Sequence, residues 1–155
     1  MATTIYYLTK EGLEKVKKEH QKLLDFKRAK TKDEVPNIWH SEDVNPEYLS
    51  FQEDMSLLET KIMEYENILR NAELIKKPSK EKQDIIQLGA TVLCEIEGEK
   101  DEFIIVGSLE SNPAMGRISN ESPVGQALIG HRPGETAVVQ SSVHVSYKIL
   151  KISYR

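Results

Sequence analysis

Cysteine occurs once in this chain of 155 residues, at Cys94, which excludes an intramolecular disulfide and any cysteine-built zinc cage. Tryptophan also occurs once and aromatics make up only 6%, too few for a large aromatic-lined pocket. Glycines number eight, and none forms a phosphate cradle between a strand and a helix. No G-x-S-x-G or H-E-x-x-H pattern is present, and the four histidines, His20, His40, His131 and His144, are scattered. A self-contained active site is not expected. No apolar run approaches the ~18 residues of a membrane span, and Met1–Ile5 lacks the basic and apolar regions of a signal peptide. With a net charge of −4 and 39% hydrophobic residues, the composition describes a soluble chain, and the single cysteine suits a reducing cytoplasm.

What is present is a heptad seam. Phe51, Met55, Leu58, Ile62, Tyr65, Leu69 and Ala72 recur at alternating spacings of four and three, the pattern of a helix that packs along another helix. Asn45-Pro46-Glu47 opens it with a cap, a proline whose missing N–H costs nothing, and an acid at the positive dipole end. A weaker seam runs through Leu13, Val16, His20, Leu23 and then Phe26 or Lys27, started by a Thr9 cap and stopped before Pro36. Joined by residues 35–45, the two arms predict an antiparallel helical hairpin, roughly 40 Å long at ~1.5 Å rise per residue. Charge divides between the arms: nine basic and four acidic residues from Lys10 to Lys32, ten acidic and one basic from Asp33 to Glu66. Complementary flanks would hold the arms in register, and a basic face carrying Lys27, Arg28, Lys30 and Lys32 could follow a phosphate backbone. Both readings stand.

After residue 77 the period falls from helical to two. Residues 78–84 are polar and read as a linker; Val92, Cys94 and Ile96 alternate, Phe103–Val106 is a buried-strand run, and Val143, Val145, Tyr147 and Ile149 alternate again. Ser122–Gly130 reads as a short helix started by Ser-Pro and stopped by glycine. The fold class is α+β: residues 1–77 form the hairpin, 78–84 the linker, and 85–155 a small, mainly antiparallel β domain. At the hairpin's turn, Trp39 either packs on the rod or meets a partner. Glu42 and Asp43 precede the helix cap, where helix chemistry does not explain them; one or two carboxylates with waters is how Mg²⁺ is held when another molecule supplies the rest.

Taken together, these features resemble the Gre family (GreA and GreB) of bacterial transcript cleavage and elongation factors. Thr9-Lys10-Glu11-Gly12-Leu13 is similar to the family's opening, Asn45-Pro46-Glu47-Tyr48 to its post-tip motif, and Leu69–Ile75 to its hairpin-closing motif. In the second half Leu88–Val92, Ile105–Gly107, Ile118-Ser119 and Ser122–Gly130 follow the family pattern. The resemblance implies an FKBP-like C-terminal domain that docks on bacterial RNA polymerase near its secondary channel, through Ser122, Pro123, Val124 and Gly125. It implies a hairpin that reaches the nascent RNA 3′ end in backtracked complexes, with Lys27, Arg28, Lys30 and Lys32 beside the RNA. It also implies an accessory factor rather than an enzyme, with no cofactor of its own but tip carboxylates that share a Mg²⁺ of the polymerase centre. The family's two tip acids fall on Ser41 and Val44, neither of them acidic, so Glu42 and Asp43 are the candidates for catalytic and metal-holding roles. The alternative is a channel-binding regulator without cleavage support, of a kind that includes inhibitors of transcription. An antiparallel partner within the chain favours a monomer.

Overall fold

The structure, a computed structural model, describes residues 4–33, 46–140 and 143–155. Its residues group into two compact units, Leu13–Asn71, and Met1–Gly12 together with Ala72–Arg155.

The first unit is the helical hairpin. Helix α1 spans Lys10–Asp33 and α2 spans Pro46–Arg70, so proline stands at the first helical position as expected. On α2 the seam is the shielded stripe: Leu58 and Ile62 are buried, and Phe51, Met55, Tyr65 and Leu69 are half-buried. On α1, Leu13, Val16, His20 and Leu23 are half-buried, and the seam then continues through Lys27, because Phe26 is 58% exposed. Two ion pairs and one histidine–carboxylate contact fix the register. His20 meets Glu66 at 3.4 Å, Lys27 meets Glu59 at 3.4 Å, and Lys30 meets Asp54 at 3.0 Å. Moving seven residues up α1, from His20 to Lys27, moves seven down α2, which is an antiparallel pairing. The basic arm faces the acidic one.

The α2 seam ends sooner than its spacing predicts. Asn71 donates its side-chain amide to the Asn67 carbonyl at 3.0 Å, and Ala72 leaves the helix. Ala72–Leu74 becomes strand β2, pairing in parallel with β1, Tyr6–Leu8. Ladder pairing with a segment far away in sequence has overridden the local helical period.

The second unit is built on a five-stranded sheet in the order β5-β4-β3-β7-β6. Its strands are β3 (Ala90–Ile96), β4 (Glu99–Val106), β5 (Arg117–Ser119), β6 (Thr136–Gln140) and β7 (His144–Tyr154). All neighbours are antiparallel except β4 and β5. The β3–β4 hairpin turns at Glu97-Gly98, both at positive φ, where glycine carries no side-chain penalty. Helix α3, Pro123–Leu128, closes the core, in which Val92, Cys94, Ile105, Leu128 and Ile149 are buried. Within the expected linker, Lys80–Lys82 form a single 3₁₀ turn. Among the described residues no helix is long and apolar enough to cross a membrane.

Candidate functional site

Three places carry the expected chemistry. The first, the hairpin's turn with Glu42, Asp43, Trp39, His40, Ser41 and Val44, lies outside the described residues. Among those that are described, no cluster of three or more His, Cys, Asp or Glu could hold a metal ion.

The second is the basic side of α1. Lys27 and Lys30 are committed to the acids of α2, and Lys30, with its side chain only 15% exposed, also stands 5.9 Å over the Phe26 ring. Arg28 and Lys32 are exposed and, with Leu24 and Thr31, edge a shallow hollow. The four cations therefore divide by role. Two brace the hairpin, and two present their charge to solvent.

The third is the loop into α3. Ser122 caps the helix: its hydroxyl accepts the Gly125 N–H at 3.1 Å and donates to the Ser119 carbonyl at 2.7 Å. Ser119 Oγ accepts the Glu121 N–H at 3.1 Å, and Ser108 donates to the Glu121 carboxylate at 2.8 Å. These bonds brace the loop internally. Its four expected docking residues are not equivalent. Pro123 is exposed, Ser122 and Val124 are half-buried, and Gly125 is buried. A Cβ on Gly125 would lie 2.0 Å from the Ser119 carbonyl oxygen, so glycine is there to let the helix approach the strand. Beside the loop, exposed Ile5 and Leu109 flank a hollow of about 70 Å³ that ends at Asn120 and Glu121.

A contact that sequence reasoning missed lies nearby. Glu110 accepts both the Thr9 N–H, at 2.7 Å, and the Thr9 hydroxyl, at 2.6 Å, while Thr9 Oγ1 accepts the Gly12 N–H at 3.0 Å. The signal available was negative: a threonine cap followed three residues later by glycine instead of the usual acid.

Three groups of the sheet have shifted titration. Burial, reinforced by Asp101, pushes the Cys94 thiol up to about 11. Burial also raises the Tyr147 and Tyr154 phenols, and Tyr154 donates to the Ile85 carbonyl at 2.5 Å.

Comparison with known proteins divides the chain near the expected linker. Residues 6–74 match the family described as "Transcription elongation factor, N-terminal", and residues 80–154 match "Transcription elongation factor, GreA/GreB, C-term". The transcription elongation factor GreA of Thermomicrobium roseum is 37% identical, over 86% of this chain and 87% of that protein. That of Streptococcus sanguinis is 35% identical over 98% of both. Among solved structures, GreA factor homolog 1 of Thermus thermophilus is 25% identical with a TM-score of 0.41, covering 97% of this chain and 99% of that one.

Proposed function

The chain belongs to the GreA/GreB family of transcription elongation factors, and from that premise we propose that it acts on bacterial RNA polymerase as an accessory factor, promoting RNA cleavage by the polymerase in backtracked complexes. The observation that supports the reading best is the match of both halves, hairpin and β domain, to relatives named as elongation factors over most of their length. In this reading the α3 loop docks at the mouth of the secondary channel, with Pro123 as its exposed contact. The hairpin, with helical arms of about 36 Å at ~1.5 Å per residue, enters the channel towards the RNA 3′ end.

At the tip, Glu42 and Asp43 would supply carboxylate oxygens, the donors Mg²⁺ prefers, to an ion whose remaining ligands belong to the polymerase and the RNA. The chemistry such an ion would supply is polarisation of a phosphoryl oxygen and a lowered pKa of a bound water. The protein's part is delivery: two carboxylates carried on a braced rod, with Arg28 and Lys32 along the RNA's path. Hydrolysis stays with the polymerase.

One feature favours a second reading. Ser41 and Val44 stand at the family's acidic tip positions, and a factor that enters the channel without metal-holding carboxylates would obstruct nucleotide addition instead. Incubating backtracked complexes with the protein and Mg²⁺ separates the two. Shortened RNA above the polymerase's own rate, lost when Glu42→Ala and Asp43→Ala are combined, supports cleavage. Absence of shortening together with slowed nucleotide addition supports the obstructing regulator.

A further inference from the structure

We propose that the β unit carries a binding site for a phosphorylated small molecule of nucleotide size, on the sheet face opposite the core. The strand ladders put Thr91, Ile104 and Arg117 in one row across β3, β4 and β5, with Val106 two residues along on the same face. Over that row opens a cleft of about 470 Å³, within the ~300–1,000 Å³ common for small-ligand pockets. Ile104 and Val106 form an apolar floor, and Lys10, Lys76, Lys77 and Arg117 stand exposed around it. None of these four cations makes an ion pair among the described residues, and Glu11 is the one acidic side chain on the lining, with Arg155 a further cation.

The depth of the cleft supplies a hydrogen-bonding group. Thr91 is only 6% exposed and lines the cleft, yet its hydroxyl has no hydrogen-bond partner among the described residues. That hydroxyl is not sealed from water, since the buried side-chain polar atom left without a partner among the described residues is His131 Nδ1, and it is open to donate to an oxygen acceptor entering the cleft. The start of α1 cannot serve as the anion site, because the Glu110 carboxylate already occupies the Thr9 N–H. The anion is left to the lysines and arginine, while the floor accepts a flat apolar group. Cations around an apolar floor of this size match a nucleotide: phosphates at the rim, base against Ile104 and Val106. The site is independent of the hairpin's tip and of the role proposed for it.

The test is titration of the full-length protein, followed by amide ¹H–¹⁵N shifts, with GTP, inorganic triphosphate, a short single-stranded RNA and a polyglutamate peptide as separate probes. GTP is expected to give saturable shifts at Thr91, Ile104 and Arg117 and to bind more tightly than triphosphate. Combined Lys76→Glu and Lys77→Glu, at exposed positions outside any helix or strand, should weaken GTP at least about tenfold through lost charge-assisted contacts. Thr91→Val, which keeps the shape, should weaken it by about tenfold, the worth of one hydrogen bond to a charged group, with an unchanged melting temperature. Failure to saturate, an unchanged affinity in the lysine double variant, or triphosphate binding as tightly as GTP would overturn the proposal. So would tighter binding of the RNA or the peptide, which would assign the cleft to a macromolecule.

Discussion

Glu110 supplies Thr9 with the carboxylate that a helix-capping threonine ordinarily draws from its own third helical residue. The third position is Gly12, where a Cβ would lie 2.4 Å from the Glu110 carboxyl carbon. The capping box is thus completed from a residue 101 positions away, and glycine makes room for it. Glu110→Ala should cost about 1–2 kcal/mol, the usual worth of a cap. Gly12→Ala should be close to neutral in the parent protein, since displacing the carboxylate offsets the ~1 kcal/mol gained in helix propensity. In the Glu110→Ala background the same change should stabilise by most of that amount. Denaturant melts of the four proteins form a double-mutant cycle; additive effects would mean that the two residues are not coupled.

The α3 loop allows folding and docking to be separated. Ser122→Ala removes a cap bonded to both Gly125 and Ser119 and should lower stability by about 1–2 kcal/mol. Gly125→Ala drives a methyl into a backbone carbonyl that cannot swing aside, and should cost more than about 3 kcal/mol. Pro123→Asp, at an exposed position, should leave melting within about ±0.5 kcal/mol of the parent yet reduce retention on immobilised polymerase. Unaltered retention of Pro123→Asp would remove the loop from the docking surface.

Cys94 is expected to make stability fall in alkali. Folded, its thiol keeps its proton up to about 11, chiefly because it is buried and secondarily because Asp101 is near. Unfolded, the thiol loses it near ~8.5. Above that point the unfolded chain binds fewer protons, so stability falls as pH rises, by up to about 1.4 kcal/mol per pH unit, and the contribution is intact below it. Cys94→Val should flatten the decline between about pH 8.5 and 10, before the tyrosines add their own slopes. A thiol reagent at pH 8 should label the protein only after denaturation. An identical pH profile for parent and variant would assign the slope to other groups.

The helical seams were legible because a heptad is a local pattern. Leu58 and Ile62 are buried where the spacing puts them. The choice between Phe26 and Lys27 was not legible, since a lysine stem can cover a seam while its ammonium reaches an acid, here Glu59, on the other arm. Ala72 fits the heptad and still leaves the helix, because its pairing with Tyr6 is a long-range ladder that no local period encodes. Glu110 shows the same limit: nothing around it in sequence marks it as the cap partner of Thr9. Pro123 and Gly125 belong to one readable motif, but only burial separates the residue that faces outward from the one that permits packing.

The two readings of the basic arm, brace or RNA path, now make different predictions for different residues. Lys27 and Lys30 face Glu59 and Asp54, so Lys27→Ala with Lys30→Ala should lower hairpin stability, by about 0.5–2 kcal/mol for two partly exposed pairs. Exchanging the charges of the shorter pair, Lys30→Asp with Asp54→Lys, should recover much of that loss, as register is set by complementarity and not by the sign on either arm. Arg28 and Lys32 make no such pair among the described residues, and replacing both by alanine should leave melting within about ±0.5 kcal/mol. If their charge follows the RNA backbone, that same double variant should weaken the factor's effect on backtracked complexes and flatten its salt dependence. Circular dichroism melts paired with transcription assays across a salt series measure both. Should Arg28→Ala with Lys32→Ala leave the transcription effect and its salt slope unchanged while Lys27→Ala with Lys30→Ala shifts melting, the basic arm is a register device alone, and the RNA path must be sought elsewhere on the hairpin.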